Sequence, residues 1–203
     1  MGQSIMTKDT PASETAKFTL LPVAKVLVPD GSRQVTPGSG EVGMVAQGGM
    51  VPLGYYKDPE KSAKTFKEVD GKRYAFIGDM ATVEADGTIN LLGRGSNCIN
   101  TGGEKVFPEE VEEALKLHAD VADALVFGLE DERFGNRVAG VVSLEQGGAA
   151  EAGDILEATR KLLASYKLPK DLLVVPVVPR APNGKADYKT AKSMMAGDLR
   201  IKS

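Results

Sequence analysis

Two rhythms of apolar residues run along the chain. Up to about residue 93 the apolar positions come in short β-like runs separated by turn residues. "FTLLPVAKVLVPDGSRQV" (18–35) predicts a β-rich stretch closed by Pro-Asp-Gly, and "GEVGMVAQG" (40–48) a further strand. "KRYAFIGDMATVEADGTINLLGR" (72–94) predicts short strands around an Asp-Gly hairpin turn at 86–87. One short helix interrupts them, "DPEKSAKTF" (58–66), where Asp58 can cap and Pro59 suits the first position. Residues 1–16 are small and polar and read as a loop or chain end.

After Arg94 the period lengthens. "GRGSNCINTGG" (93–103) reads as a glycine-rich connector. "FPEEVEEALKLHADV" (107–121) predicts a helix with Pro108 at its start and glutamates in its first turn, where they suit the dipole. "DALVFGL" and "RVAGVVSL" predict strands. "GDILEATRKLLASYKL" (153–168) predicts a longer helix with Ile155, Leu156, Leu162 and Leu163 as its apolar positions. "LLVVPVV" (172–178) reads as a strand, followed by a Pro-Asn-Gly turn and a terminal helix from about Tyr188. The fold class expected is α+β: a β-rich part over 1–93, then a small α+β domain over 98–203.

Composition narrows the functional classes. With 203 residues, 42% of them hydrophobic, the chain can bury a core in one or two domains. A formal charge of −3 gives no general affinity for nucleic acid or anionic membrane. A single cysteine, Cys98, excludes an internal disulfide and fits a reducing compartment. "MGQSIMTKDT" has no apolar signal region, and its position 6 is Met where a myristoylation pattern has Ser or Thr. "LLVVPVV" is too short to span a bilayer. A cytoplasmic globular protein is expected.

Several apparent motifs carry no chemistry. "GSGEVG" (38–43) matches G-x-G-x-x-G, but β-like "MVAQG" follows it where a dinucleotide site needs a helix. The glutamates of "PEEVEE" read as the solvated face of a helix whose buried face is Val111, Ala114 and Leu115. His118 is the lone histidine and reads as a surface residue, and Cys98 as a small buried hydrophobe. No metal site is expected. Three charges are harder to dismiss. Asp79 follows Gly78 at the end of "YAFI", Arg94 follows Gly93 at the end of "TINLL", and Lys185 follows Gly184 in "RAPNGKADY". A carboxylate suits a ribose diol, a guanidinium forks onto phosphate or hydroxyl oxygens, and an ammonium follows charge developing on phosphate and carboxylate oxygens. Together they describe a nucleotide and an acid being joined.

"GYYKDPEKSAKTF", "GD" (78–79), "GRGSNCINTGGEKVFPEEVEEAL" and "PNGKADY" occur in the order and spacing of the adenylate-forming superfamily, which the chain resembles over about residues 40–190. "NTGGEKVFPEEVEE" resembles the acyl-CoA synthetases, and among them the fatty-acid and steroid-side-chain CoA ligases. The resemblance implies that residues 1–93 end a large N-terminal AMP-binding domain as a remnant of its barrel subdomain, that 94–97 form a hinge, and that 98–203 form a mobile C-terminal lid. It implies that Asp79 and Arg94 contact the ribose of ATP and that Lys185 bridges the α-phosphate and the carboxylate. It places Gly102, Gly103 and Glu104 on the face used when the acyl group passes to CoA, and the hinge at Ser96. Two departures stand out: Ser96 where many members have Asp or Lys, and Ile77-Gly78-Asp79 where the family has Thr-Gly-Asp.

ATP, CoA, a carboxylic acid and Mg²⁺ are the implied ligands, with Mg²⁺ held mainly by upstream residues. The family's phosphate-binding loop does not occur in these 203 residues, so the expected partner is the large N-terminal domain, and the chain alone is expected to lack full activity. Two alternatives remain at this point: a non-catalytic module that keeps the lid fold, and an acyl-AMP ligase serving a carrier protein.

Overall fold

The computed structural model describes residues 3–4 and 17–202. The expectation for residues 1–16 therefore lies outside the described residues, except for Gln3–Ser4. The chain divides into two compact units, Met1–Ser96 and Asn97–Ser203.

The first unit is built on a seven-stranded antiparallel sheet: β1 (Gln3–Ser4), β2 (Lys17–Thr19), β3 (Ala24–Leu27), β4 (Gly43–Gln47), β5 (Phe66–Val69), β6 (Lys72–Val83) and β7 (Ile89–Arg94). The order is β1-β2-β7-β6-β4-β3, with β5 pairing β6. Consecutive residues of β3 enter different clusters: Val26 packs with Val35, Ala81 and Ile89, while Leu27 packs with Ala46, Tyr74 and Phe76. Burial on both faces explains why "AKVLV" is nearly continuous in apolar residues rather than alternating. Helix α1 (Pro59–Thr65) starts as its sequence expects, with Asp58 Oδ1 accepting the Lys61 N–H at 2.9 Å and Pro59 in the first turn.

The second unit comprises a two-stranded hairpin, β8 (Ile99–Thr101) and β9 (Glu104–Val106), then α2 (Pro108–Lys116), β10 (Val121–Asp131), β11 (Gly135–Leu144), α3 (Ala152–Thr159), β12 (Asp171–Val174) and α4 (Tyr188–Lys202). Its main sheet runs β10-β11-β12, antiparallel then parallel. Alternation along β10 sorts the core: Ala124 and Val126 pack with Val111 and Leu115 of α2 and Ile155 of α3, whereas Leu125 and Phe127 pack with Ala191 and Met195 of α4. The sheet thus carries helices on both faces, and the α+β class holds.

Four local expectations are corrected. The connector at 93–103 contains strand β8, and with β9 it forms a tight hairpin. The helix expected to reach Val121 stops at Lys116, because His118 N–H turns back to Leu115 O at 3.2 Å and Val121 joins the sheet. The helix expected over 153–168 ends at Thr159 and is followed by a 3-10 turn at Ser165–Lys167. The Thr159 hydroxyl bonds back to Ile155 O at 2.7 Å, and Leu162 N–H takes Thr159 O, which tightens the chain out of the helix. Leu162, read as apolar face, is exposed, while Leu163 packs on the core and Leu168 is buried. The strand "LLVVPVV" is cut short at Val174, since Pro176 has no N–H for the ladder.

Candidate functional site

Asp79 and Arg94 meet across the β6–β7 ladder, where they are paired in register. Arg94 Nε lies 2.9 Å from Asp79 Oδ1, and Arg94 Nη1 donates to Ile77 O at 3.2 Å. Arg94 ends its strand, as expected, but Asp79 does not: it lies inside the twelve-residue β6. Gly78 has φ +90°, and the ladders of β6 with β4 and β7 slip near it. The strand thus passes through an irregularity there rather than ending. Ile77, where the family has threonine, is exposed. An exposed ion pair of this kind holds geometry more than it stabilises. A carboxylate has four lone-pair directions, so Asp79 keeps capacity for hydroxyl donors beyond the guanidinium.

Ser96 is exposed in a single 3-10 turn, Gly95–Asn97, and the two units divide immediately after it. In the second unit, Gly102 and Gly103 are the two turn residues of the β8–β9 hairpin, with φ +58° and +90°. That is a turn in which both central residues take positive φ, which glycine adopts without strain. Gly102 N–H donates to Phe134 O at 3.0 Å, so the β10–β11 turn buttresses the glycine tip. A Cβ on Gly102 would lie 3.1 Å from the Phe134 ring, while one on Gly103 would meet nothing within 4 Å. Glu104 is exposed beside them.

Lys185 is exposed on a closed turn. Ala181 N–H donates to Lys185 O and Gly184 N–H to Ala181 O, both at 2.8 Å, while Lys185 N–H takes Asn183 Oδ1 at 3.1 Å. Gly184 has φ +78°. Before the turn, Arg180 forks onto Asp123 of β10 at 2.7 and 2.8 Å, a bidentate bond that holds the Asp123 carboxyl below its usual range. The structure therefore gives a fixed backbone beneath a long solvated side chain. Asp79 and Arg94 come together in the first unit; Lys185 and the glycine tip each stand on separate turns of the second.

One residue was missed. Glu112, read as part of a solvated glutamate face, is only partly exposed and turns to the sheet, where it accepts the Val126 N–H at 2.8 Å. Burial, partly offset by that bond, and the nearby Glu109 push its carboxyl up to about 7; Lys116 and Arg180 pull the other way. Glu110, its neighbour, pairs with Lys167 at 2.6 Å. The available signal was spacing: Glu112 lies four residues after Pro108 and three before Leu115, both buried, so it flanks the inner face. A carboxyl whose folded pKa lies above its unfolded value binds its proton more tightly in the folded state. Stability from this group is greatest below about pH 4.5 and declines as pH rises toward 7. Glu112→Gln keeps an acceptor for Val126 without the charge. The variant should gain stability over the parent at pH 8, on the order of 2 kcal/mol, and the gap should close by pH 4; thermal unfolding of both proteins across that range reads it out.

Among the described residues no group of three or more His, Cys, Asp or Glu side chains is placed to hold a metal ion. No helix among them is long and apolar enough to cross a membrane.

Comparison with known proteins adds four findings. Residues 110–185 match the family described as AMP-binding enzyme C-terminal domain. The chain is 53% identical over 163 residues to the 3-oxocholest-4-en-26-oate–CoA ligase of Rhodococcus rhodochrous, covering 80% of this chain and 29% of that one. It is 48% identical over 193 residues to a medium/long-chain-fatty-acid–CoA/3-oxocholest-4-en-26-oate–CoA ligase of Mycolicibacterium smegmatis, covering 95% and 35%. Among solved structures it resembles ATP-bound MatB from Rhodopseudomonas palustris, with a TM-score of 0.72 at 28% identity over 87% of this chain and 35% of that one. The chain thus spans about a third of the length of the curated relatives it matches.

Proposed function

With residues 110–185 belonging to the AMP-binding enzyme C-terminal domain family, and the chain matching the C-terminal part of acyl-CoA ligases, we propose that it serves an ATP-dependent acid–thiol ligase. In the first step a carboxylate oxygen of the acid attacks the α-phosphorus of ATP and pyrophosphate leaves. In the second the thiol sulfur of CoA, having lost its proton, attacks the acyl carbon and AMP leaves. The relatives' names carry medium- and long-chain fatty acids and a steroid side-chain acid, so the acid proposed here is a bulky apolar one.

The observation that carries this reading is the Lys185 turn. Its backbone is closed by internal hydrogen bonds and anchored by the Arg180–Asp123 fork, and no ion pair among the described residues includes the Lys185 ammonium. A cation held out on a rigid base meets the need of the first step, in which negative charge spreads over the phosphoryl oxygens. Asp79 and Arg94 would hold the ribose hydroxyls. Rotation about residues 94–97, with Ser96 as pivot, would withdraw Lys185 and present Gly102, Gly103 and Glu104 for the second step. Mg²⁺ finds no ligand cluster among the described residues. The lone Cys98 fits a reducing cytoplasm.

The test is a chimera joining this chain behind the upstream portion of the Rhodococcus rhodochrous ligase. Acyl-CoA and AMP formation from ATP, CoA and a long-chain acid is the expected result. A well-folded chimera that forms neither acyl-adenylate nor acyl-CoA with any fatty or steroid acid overturns the reading.

A further inference from the structure

Asn97 is the first residue of the second unit. Its side-chain Nδ2 donates to the Tyr188 hydroxyl at 3.3 Å and lies 3.5 Å from Glu109 Oε1. Tyr188 opens α4, three residues after Lys185. The chain between them is not slack: Asp187 N–H returns to Pro179 O at 3.1 Å, and Arg180 and Ala186 form an antiparallel bridge. The lysine turn is therefore gripped at both ends. Before it, the Arg180 fork fixes it to β10; after it, the Tyr188 hydroxyl fixes it to the residue beside the unit boundary.

The Tyr188 ring does a separate job. It packs, partly buried, against the cluster containing Phe127, Ala191 and Met195. The hydroxyl is not needed for that packing, and a phenol in contact with apolar side chains is costly unless its oxygen finds a partner. Burial, with Glu112 and Glu109 nearby, pushes the phenol up to about 12, so it is neutral near pH 7.

We propose that Asn97 and Tyr188 are positioning residues for Lys185, coupling the lysine turn to the boundary through one side-chain hydrogen bond. Displacement of Asn97 is then displacement of the turn. Without the bond the turn keeps its internal hydrogen bonds and its grip on β10 but loses its far anchor, so the ammonium is delivered less accurately. The role assigned to Lys185 rests on the ligase reading above; the mechanical coupling does not.

The test uses Tyr188→Phe, which removes the hydroxyl and keeps the ring, with Asn97→Ala and the double variant beside it. In the 203-residue chain, amide hydrogen exchange at Ala181, Gly184 and Asp187 should quicken about fivefold in either single variant, the scale of one lost hydrogen bond. Amides of β11 should not change. The double variant should be no faster than the singles, because both remove the same bond. In the chimera carrying Tyr188→Phe alone, acyl-adenylate formation should fall by a similar factor, with acyl-CoA formation from supplied acyl-adenylate unaltered. Unchanged exchange in the turn, additive effects in the double variant, or equal loss in both half-reactions would overturn the proposal. An inactive parent chimera whose Tyr188→Phe chain still shows the local exchange response counts against the ligase reading alone and supports the coupling.

Discussion

Lys185→Ala should remove acyl-adenylate formation in the chimera almost completely while leaving the second half-reaction intact. Among the described residues no ion pair includes the Lys185 ammonium. It is exposed, its turn is closed by backbone bonds, and the Asn183 side chain takes the Lys185 N–H rather than its ammonium. Folding should therefore be unchanged. The loss falls on the transition state, where one well-aimed charged donor contributes about 3–4 kcal/mol, or about 10²–10³-fold in rate. Pyrophosphate exchange measures the first step, and supplying pre-formed acyl-adenylate with CoA measures the second, which should stay within about threefold of the parent. Equal loss in both would remove Lys185 from the role proposed for it.

Gly103→Val should give the mirror image. Among the described residues nothing lies within 4 Å of a Cβ at this position, so the branch point itself meets no clash. Two effects follow. A β-branched residue at φ +90° is strained by about 1–3 kcal/mol, which shifts the hairpin tip. The new side chain also projects from a face proposed to admit the CoA arm. A displacement of about 1 Å in a reacting group's support can slow a step about 10²-fold. Acyl-CoA formation from supplied acyl-adenylate should fall by that order, with pyrophosphate exchange retained. Gly102→Val is the less clean probe, because its Cβ would press on the Phe134 ring at 3.1 Å and disturb the buttress itself.

Much of the architecture could be read because it follows from strictly local rules. The alternation of "DALVFGL" sorts residues to two faces by the pleat alone, and β10 sends Val126 one way and Phe127 the other. Asp58 and Asn183 act on N–H groups three and two residues away, within reach of sequence reasoning. What escaped depends on distant partners. Apolar spacing carries no mark of the back-bond from Thr159 that helps end α3, nor of the core that draws in Leu163 and Leu168 while leaving Leu162 outside. Asp79 seemed to follow a strand because Gly78 looks like a stop. The ladder instead continues past it, since the Asp79–Arg94 pair itself belongs to the register. Glu112 was assigned to solvent by its residue type, although its partner, Val126, lies fourteen positions on. Of the site, the residue types and their turns were legible. The Asn97–Tyr188 bond, spanning 91 positions, was not.

The bond from Val126 to Glu112 has a meaning beyond titration. β10 is the outermost strand of its sheet, and that N–H points away from β11. An open flank of this kind invites a foreign strand to zip onto it, the first event in domain exchange or fibril growth. The carboxylate occupies the donor that an intruder would need, and its charge, where ionised, repels the intruder's carbonyls. Glu112 thus occupies one donor on the exposed side of an edge strand, a donor that a strand from a second copy would otherwise pair with.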